Sequence, residues 1–132
     1  MAKQIFAVRE TALYFIPRWL KGEHIARKEL ARHLQHQFKF DEDHADASSY
    51  AAVKRAKDEL WREGEIVIVN LGEGVYGIPK TKEEYAFAQR TYYTKVKSMM
   101  TGALRVYQYG QGHNLLPDGM KQERLMLPKV TL

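Results

Sequence analysis

The chain of 132 residues contains no cysteine. A disulfide framework, a thiolate zinc site and a cysteine nucleophile are therefore excluded, which fits a reducing cytoplasm. It also lacks a long hydrophobic run: the longest uncharged apolar stretch near the start, residues 11–17, is far short of the roughly 20 residues that cross a bilayer, and no small-residue cleavage pattern follows it. A cytoplasmic protein with no membrane partner is expected. Catalytic signatures are missing too, since neither a Walker sequence nor a G-x-S-x-G elbow occurs. Gly72-x-Gly74-x-x-Gly77 has dinucleotide spacing, but it falls inside a hairpin and opens no helix. His33-x-x-His36 with Asp41, Asp43 and His44 offers metal-binding side chains, yet the pair sits where a helix is ending and the acids belong to a solvated loop. The expectation is a protein that is not an enzyme and has no catalytic residue, metal or cofactor.

A hydrophobic share of 45% beside a charged share of 28% is that of an ordinary folded domain, which excludes disorder and low-complexity linkers. Lys and Arg number 21 against 16 Asp and Glu, for a formal charge of +5. This excess leans toward a polyanionic partner, and its placement says more than its total. Acids cluster in residues 41–46, whereas none occurs between Tyr85 and Leu116, a stretch that carries Arg90, Lys95, Lys97 and Arg105.

Apolar spacing from Leu13 onward suits a helix, interrupted or restarted at Pro17 and stopped by Gly22 near residue 21. A second short amphipathic helix is expected from Ile25 to Leu34, then a long acidic loop pinned by Phe38 and Phe40, with Asp46 as the cap of a third helix over residues 47–63. Gly64 is expected to supply the positive dihedral that turns helix into strand. Residues 66–69 and 75–78 read as the two strands of a hairpin around Asn70-Leu71-Gly72-Glu73-Gly74. Thr81 and Glu84 form a T-x-x-E capping box, the start of a helix that can run to about Tyr107.

The order helix, helix, loop, helix, hairpin, long helix resembles a winged helix-turn-helix. Val53-Lys54-Arg55-Ala56, Leu60, Gly64 and Ile66 share the spacing of the recognition helix and first wing strand of winged-helix regulators, and Ile25, Lys28-Glu29-Leu30-Ala31 and Leu34 resemble the helix before it. The whole chain is similar to small winged-helix proteins of bacteriophage early or replication modules, where a PKTKEE-like cap leads into a long basic helix. The resemblance implies a fold that is mainly α with a small β-hairpin. It also implies a non-catalytic partner of double-stranded DNA, acting in transcriptional regulation or DNA replication. Two departures stand out: a far longer link between the second and third helices than the usual turn, and Glu73 at the wing tip, where a minor-groove contact favours a base. The organisation expected is a winged helix over residues 1–80, an assembly helix over 81–109 and a tail over 110–132.

If the third helix enters a major groove, Ser48, Ser49 and Tyr50 face phosphates or base edges in its first turns. Arg55 offers a planar fork to guanine, and Lys54 suits phosphate. Arg27, Lys28 and Arg32 on the second helix are phosphate candidates, as is Lys97 on the long helix. A seven-residue rhythm on that helix makes Tyr92, Val96, Met99, Ala103 and Val106 the candidate seam of a homodimer or higher homo-oligomer. The alternative is an interaction module that binds a host protein without DNA. The final residues 125–132 are too apolar for a free tail and read as a short strand or an arm.

Overall fold

A computed structural model describes residues 2–117 of the chain, so residues 118–132 of the tail expected over 110–132, with the strand or arm expected at 125–132, lie outside the described residues. The elements are α1 (Ala2–Leu20), β1 (Ile25–Ala26), α2 (Arg27–Phe38), α3 (Glu42–Gly64), β2 (Val69–Asn70), β3 (Val75–Gly77) and α4 (Lys82–Gly112). The protein is therefore mainly helical with one small sheet. Two compact units divide it, residues 1–88 and residue 89 onward, the boundary falling within α4.

Helix α1 runs straight through Pro17. It stops where the sequence indicates: Gly22 has φ +94°, a left-handed conformation, and a side chain there would collide with Lys80, whose Nζ donates to the Gly22 carbonyl at 2.8 Å. Ala7, Thr11, Ala12, Phe15 and Trp19 follow the 3-4 spacing and are buried. Against them pack Ile25, Leu30, Ala52, Val53, Ala56, Leu60 and Ile68, forming one core, while Leu34, Phe40 and Ala45 form a second cluster around Ala7. The Trp19 indole N–H donates to the Tyr76 carbonyl at 3.1 Å, tying α1 to the sheet.

The link between α2 and α3 is three residues long, not the long loop that the acidic run suggests. Lys39 adopts a left-handed conformation and ends α2, buried Phe40 plugs the corner, and Asp41 accepts the His44 N–H at 2.7 Å as the cap of α3. Glu42 and Asp43 are thus the first turn of α3, where the positive end of the helix dipole stabilises them. Asp46, the expected cap, lies inside the helix. At the other end Gly64 remains helical, and the positive dihedral falls on Glu65, φ +54°, whose N–H reaches the Leu60 and Trp61 carbonyls.

Strand β1 has no counterpart in the sequence reading, since two residues carry no alternation to detect. It pairs antiparallel with β3, Ile25 opposite Tyr76, and β2 pairs with the other edge of β3, Val69 opposite Gly77. The sheet order is β1-β3-β2. Only Val69 of the expected strand 66–69 joins the ladder. In the hairpin turn the Asn70 side chain accepts the Gly72 N–H at 2.8 Å. The capping box forms: Thr81 Oγ1 accepts the Glu84 N–H at 3.0 Å, and the Glu84 carboxylate accepts the Thr81 N–H at 3.3 Å and the Lys80 N–H at 2.8 Å. Helix α4 then extends beyond Tyr107 to Gly112, where Asn114 turns left-handed and the Leu115 N–H donates back to the Gly110 carbonyl at 2.8 Å.

Candidate nucleic-acid interface

Helix α3 turns its exposed side outward through Ala47, Tyr50, Ala51, Lys54, Asp58 and Trp61. Ser48 and Ser49 do not belong to that side. Both are buried, because the start of α3 at Glu42 brings its second turn under α1 and α2. The Ser49 hydroxyl donates to the Asp46 carbonyl at 2.6 Å and accepts from Arg27 at 2.7 Å. Arg27 is likewise held inside the fold. Its guanidinium pairs with Asp46 at 2.8 Å and lies 3.8 Å over the Tyr50 ring, while its backbone N–H donates to the Gly74 carbonyl at 2.8 Å. One arginine at the start of α2 thereby ties the hairpin turn to α3, its Nη1 committed to Asp46 and Ser49.

Lys28 and Arg32 are exposed, yet with Ala31 and Gln35 they line a groove of about 380 Å³ whose opposite wall is Glu42, Asp43 and Asp46. Their charge faces acids. Further along α3, Lys54 is exposed and Arg55 is half-exposed, its Nε 3.9 Å from Glu59, which also takes Arg62 at 3.4 Å. Helix α3 carries six acids and four bases, so the expected recognition helix is net negative, with the acids densest in its first two turns. Basic charge without acids lies instead on α4 beyond its first turn, where Arg90, Lys95, Lys97 and Arg105 are exposed. Lys97 Nζ stands 5.3 Å from the Tyr93 ring, and the Thr94 and Thr101 hydroxyls donate to the carbonyls of Arg90 and Lys97. On the adjoining face of the same helix Tyr92, Met99 and Val106 are exposed, Val96 and Ala103 half-exposed.

A surface that the sequence reading did not single out lies on α1 and the end of α2. Phe6, Glu10, Leu13, Tyr14, His33 and Phe38 line a groove of about 530 Å³. His33 stacks on Tyr14 at 4.4 Å and meets Phe15 and Phe38 edge-on, and burial pushes its pKa below the ordinary imidazole value. The signal was present: Ile5, Phe6, Val8, Leu13, Tyr14, Ile16 and Leu20 are more apolar side chains than one buried stripe can absorb. Elsewhere, the hydrogen bond from Arg18 holds the Glu23 carboxyl below its usual range, and the Lys80 and Thr81 amides do the same for Glu84. His33 faces rings rather than His36 or the acids of α3, and among the described residues no three metal-ligating side chains come together. Among the described residues no helix is long and apolar enough to cross a membrane. Comparison with protein-family models, with curated proteins and with solved structures finds no match to this chain.

Proposed function

We propose that this chain is a non-catalytic winged-helix protein that binds double-stranded DNA and acts in transcriptional regulation or DNA replication, as a phage or mobile-element regulator would. The observation that carries the reading is topological: three helices, a strand between the first two, and a hairpin whose second strand lies at the centre of the order β1-β3-β2. With only three residues between α2 and α3, one of the two departures from a winged helix-turn-helix, the long link, is gone, and the acidic Glu73 at the hairpin tip remains. DNA meets the middle of α3, because Glu42 and Asp43 repel phosphate from its first turn. Tyr50, Lys54 and Arg55 make the contacts, Arg55 exchanging its long ion pair with Glu59 for a guanine edge. Lys97 holds backbone phosphate.

Fluorescence anisotropy with labelled duplex DNA across a salt series tests this. Two to four phosphate contacts give a log–log slope of about −2 to −4. Arg55→Ala is expected to reduce the preference for a selected site over random duplex by roughly 10- to 100-fold, and Lys97→Ala to weaken both duplexes alike. Absence of duplex binding at low salt refutes the proposal. It would favour the second reading, a module that modulates a host protein without touching DNA, which the exposed Ile5, Phe6, Leu13 and Tyr14 and the negative charge of α3 support.

A further inference from the structure

Beyond residue 88, the apolar side chains of α4 fall at the two inward positions of a heptad. Tyr92, Met99 and Val106 occupy one, and Val96, Ala103 and Gly110 the other, alternating by four and three residues. Side-chain size declines along both rows toward the C-terminal end. Two parallel copies would set Tyr92 against Tyr92 at one end and Gly110 against Gly110 at the other, so the helix axes would splay. Reversing one copy removes the conflict. When the residue numbers of facing positions total 202, Tyr92 lies opposite Gly110, Val96 opposite Val106 and Met99 opposite Ala103, so large packs on small or medium on medium and the summed size per layer evens out along the axis.

The end of α4 is shaped for this arrangement. The chain turns back at Asn114, and Leu116 closes against Gly110, where a β-carbon would meet its Cδ2 at 3.2 Å. Ala103, Val106, Tyr107, Gly110, Leu115 and Leu116 line an apolar cradle of about 540 Å³. The cradle opens at the layer where the reversed copy presents Tyr92. The cations of this like-charged stretch are kept off the seam. Arg90, Lys97 and Arg105 project away from the seam, and the seam's flanking Lys95 comes beside Tyr109 of the second copy, an aromatic face rather than a like charge. With Tyr92 47%, Met99 73%, Val106 74% and Tyr109 62% exposed, covering these side chains removes roughly 500 Å² from each copy, about 1,000 Å² in total, the lower limit of a specific interface.

We infer that α4 pairs antiparallel with α4 of a second copy, Met99 against Ala103, each Tyr92 entering the other copy's cradle. This does not rest on DNA binding, and either can fail without the other. Sedimentation of the full chain at micromolar concentration is expected to give twice 15.4 kDa. A 15.4 kDa species overturns the inference, whether residues 118–132 or another protein covers the face instead. Orientation is read from disulfides, since the chain has no cysteine of its own. Met99→Cys mixed with Ala103→Cys is expected to cross-link, and either alone to do so at least tenfold less, because reversed copies offset like residues by about 6 Å along the axis, beyond disulfide reach. Efficient cross-linking of Met99→Cys with itself overturns the antiparallel register. Ala103→Glu is expected to halve the sedimenting mass, while Leu104→Glu, one residue off the seam, leaves it unchanged and controls for helix integrity. A monomer from both variants, or a dimer from Ala103→Glu, counts against the seam.

Discussion

Exchanging the residues at the end of α3, by Gly64→Ala and Glu65→Gly, probes where the helix turns into the following extended segment. Gly64 is the last helical residue, and a β-carbon there meets Ile66 Cδ1 at 3.5 Å and Cγ1 at 3.7 Å, ordinary contact distances. Alanine is therefore expected to stabilise by about 0.5–1 kcal/mol through helix propensity. Glu65 at φ +54° bears the cost of a left-handed conformation, about 1–2 kcal/mol for a residue with a side chain. Glycine removes it, but gives back roughly 0.4–1 kcal/mol through greater freedom of the unfolded chain. The pair together should raise stability by about 1–2 kcal/mol, and thermal melting should shift upward by roughly 5–10 °C for a domain of this size. The sign is diagnostic. Were Gly64 the left-handed residue, as the sequence spacing suggests, Gly64→Ala would destabilise by about 1 kcal/mol or more. A lower melting temperature for Gly64→Ala, or for Glu65→Gly alone, refutes the helix boundary and the reasoning built on it.

Asp41→Ala removes the cap of α3 and is expected to cost about 1 kcal/mol in denaturant unfolding, whereas Asp46→Ala should leave the helix start intact. Arg27→Leu should cost roughly 1–2 kcal/mol, since it removes the donor to buried Ser49, the ion pair with Asp46 and the packing on Tyr50. Lys54→Ala, with its side chain in solvent, should leave unfolding unchanged, separating a fold staple from a contact residue. The lowered pKa of His33 makes stability depend on pH. As pH falls through the unfolded value of 6.5, the unfolded chain takes up a proton that the folded one refuses, so stability decreases until the folded value is passed. His33→Phe should flatten melting temperatures between pH 7.5 and 5. Glu23 and Glu84, both lowered from 4.5, act in the same direction only at more acid pH. If the His33→Phe variant retains the full slope in that window, burial of the imidazole is not its source.

Some local chemistry was legible where a signal spans five residues or fewer, although the cap at Asp41 and the left-handed Glu65 were read one turn late and one residue early. Thr81 and Glu84 announced the start of α4, Gly22 the end of α1, and Asn70 to Gly74 the hairpin turn, because each rests on backbone conformations and hydrogen bonds between near neighbours. The absence of cysteine and the heptad rhythm of α4 were read equally well from the chain alone. Tertiary packing decided the rest. It drew the acidic run of residues 41–46 into α3, since Phe40 gains a buried corner and the helix dipole accepts Glu42 and Asp43. It recruited Ile25 and Ala26 into a strand that only β3 defines. It also sorted identical side-chain types into different roles, turning Ser48 and Ser49 inward and closing Arg27 on Asp46 while leaving Lys54 in water. Those outcomes depend on partners 19 or more residues away, such as Arg27 with Asp46 and Ser49 or Trp19 with Tyr76, so no local pattern of sequence contains them.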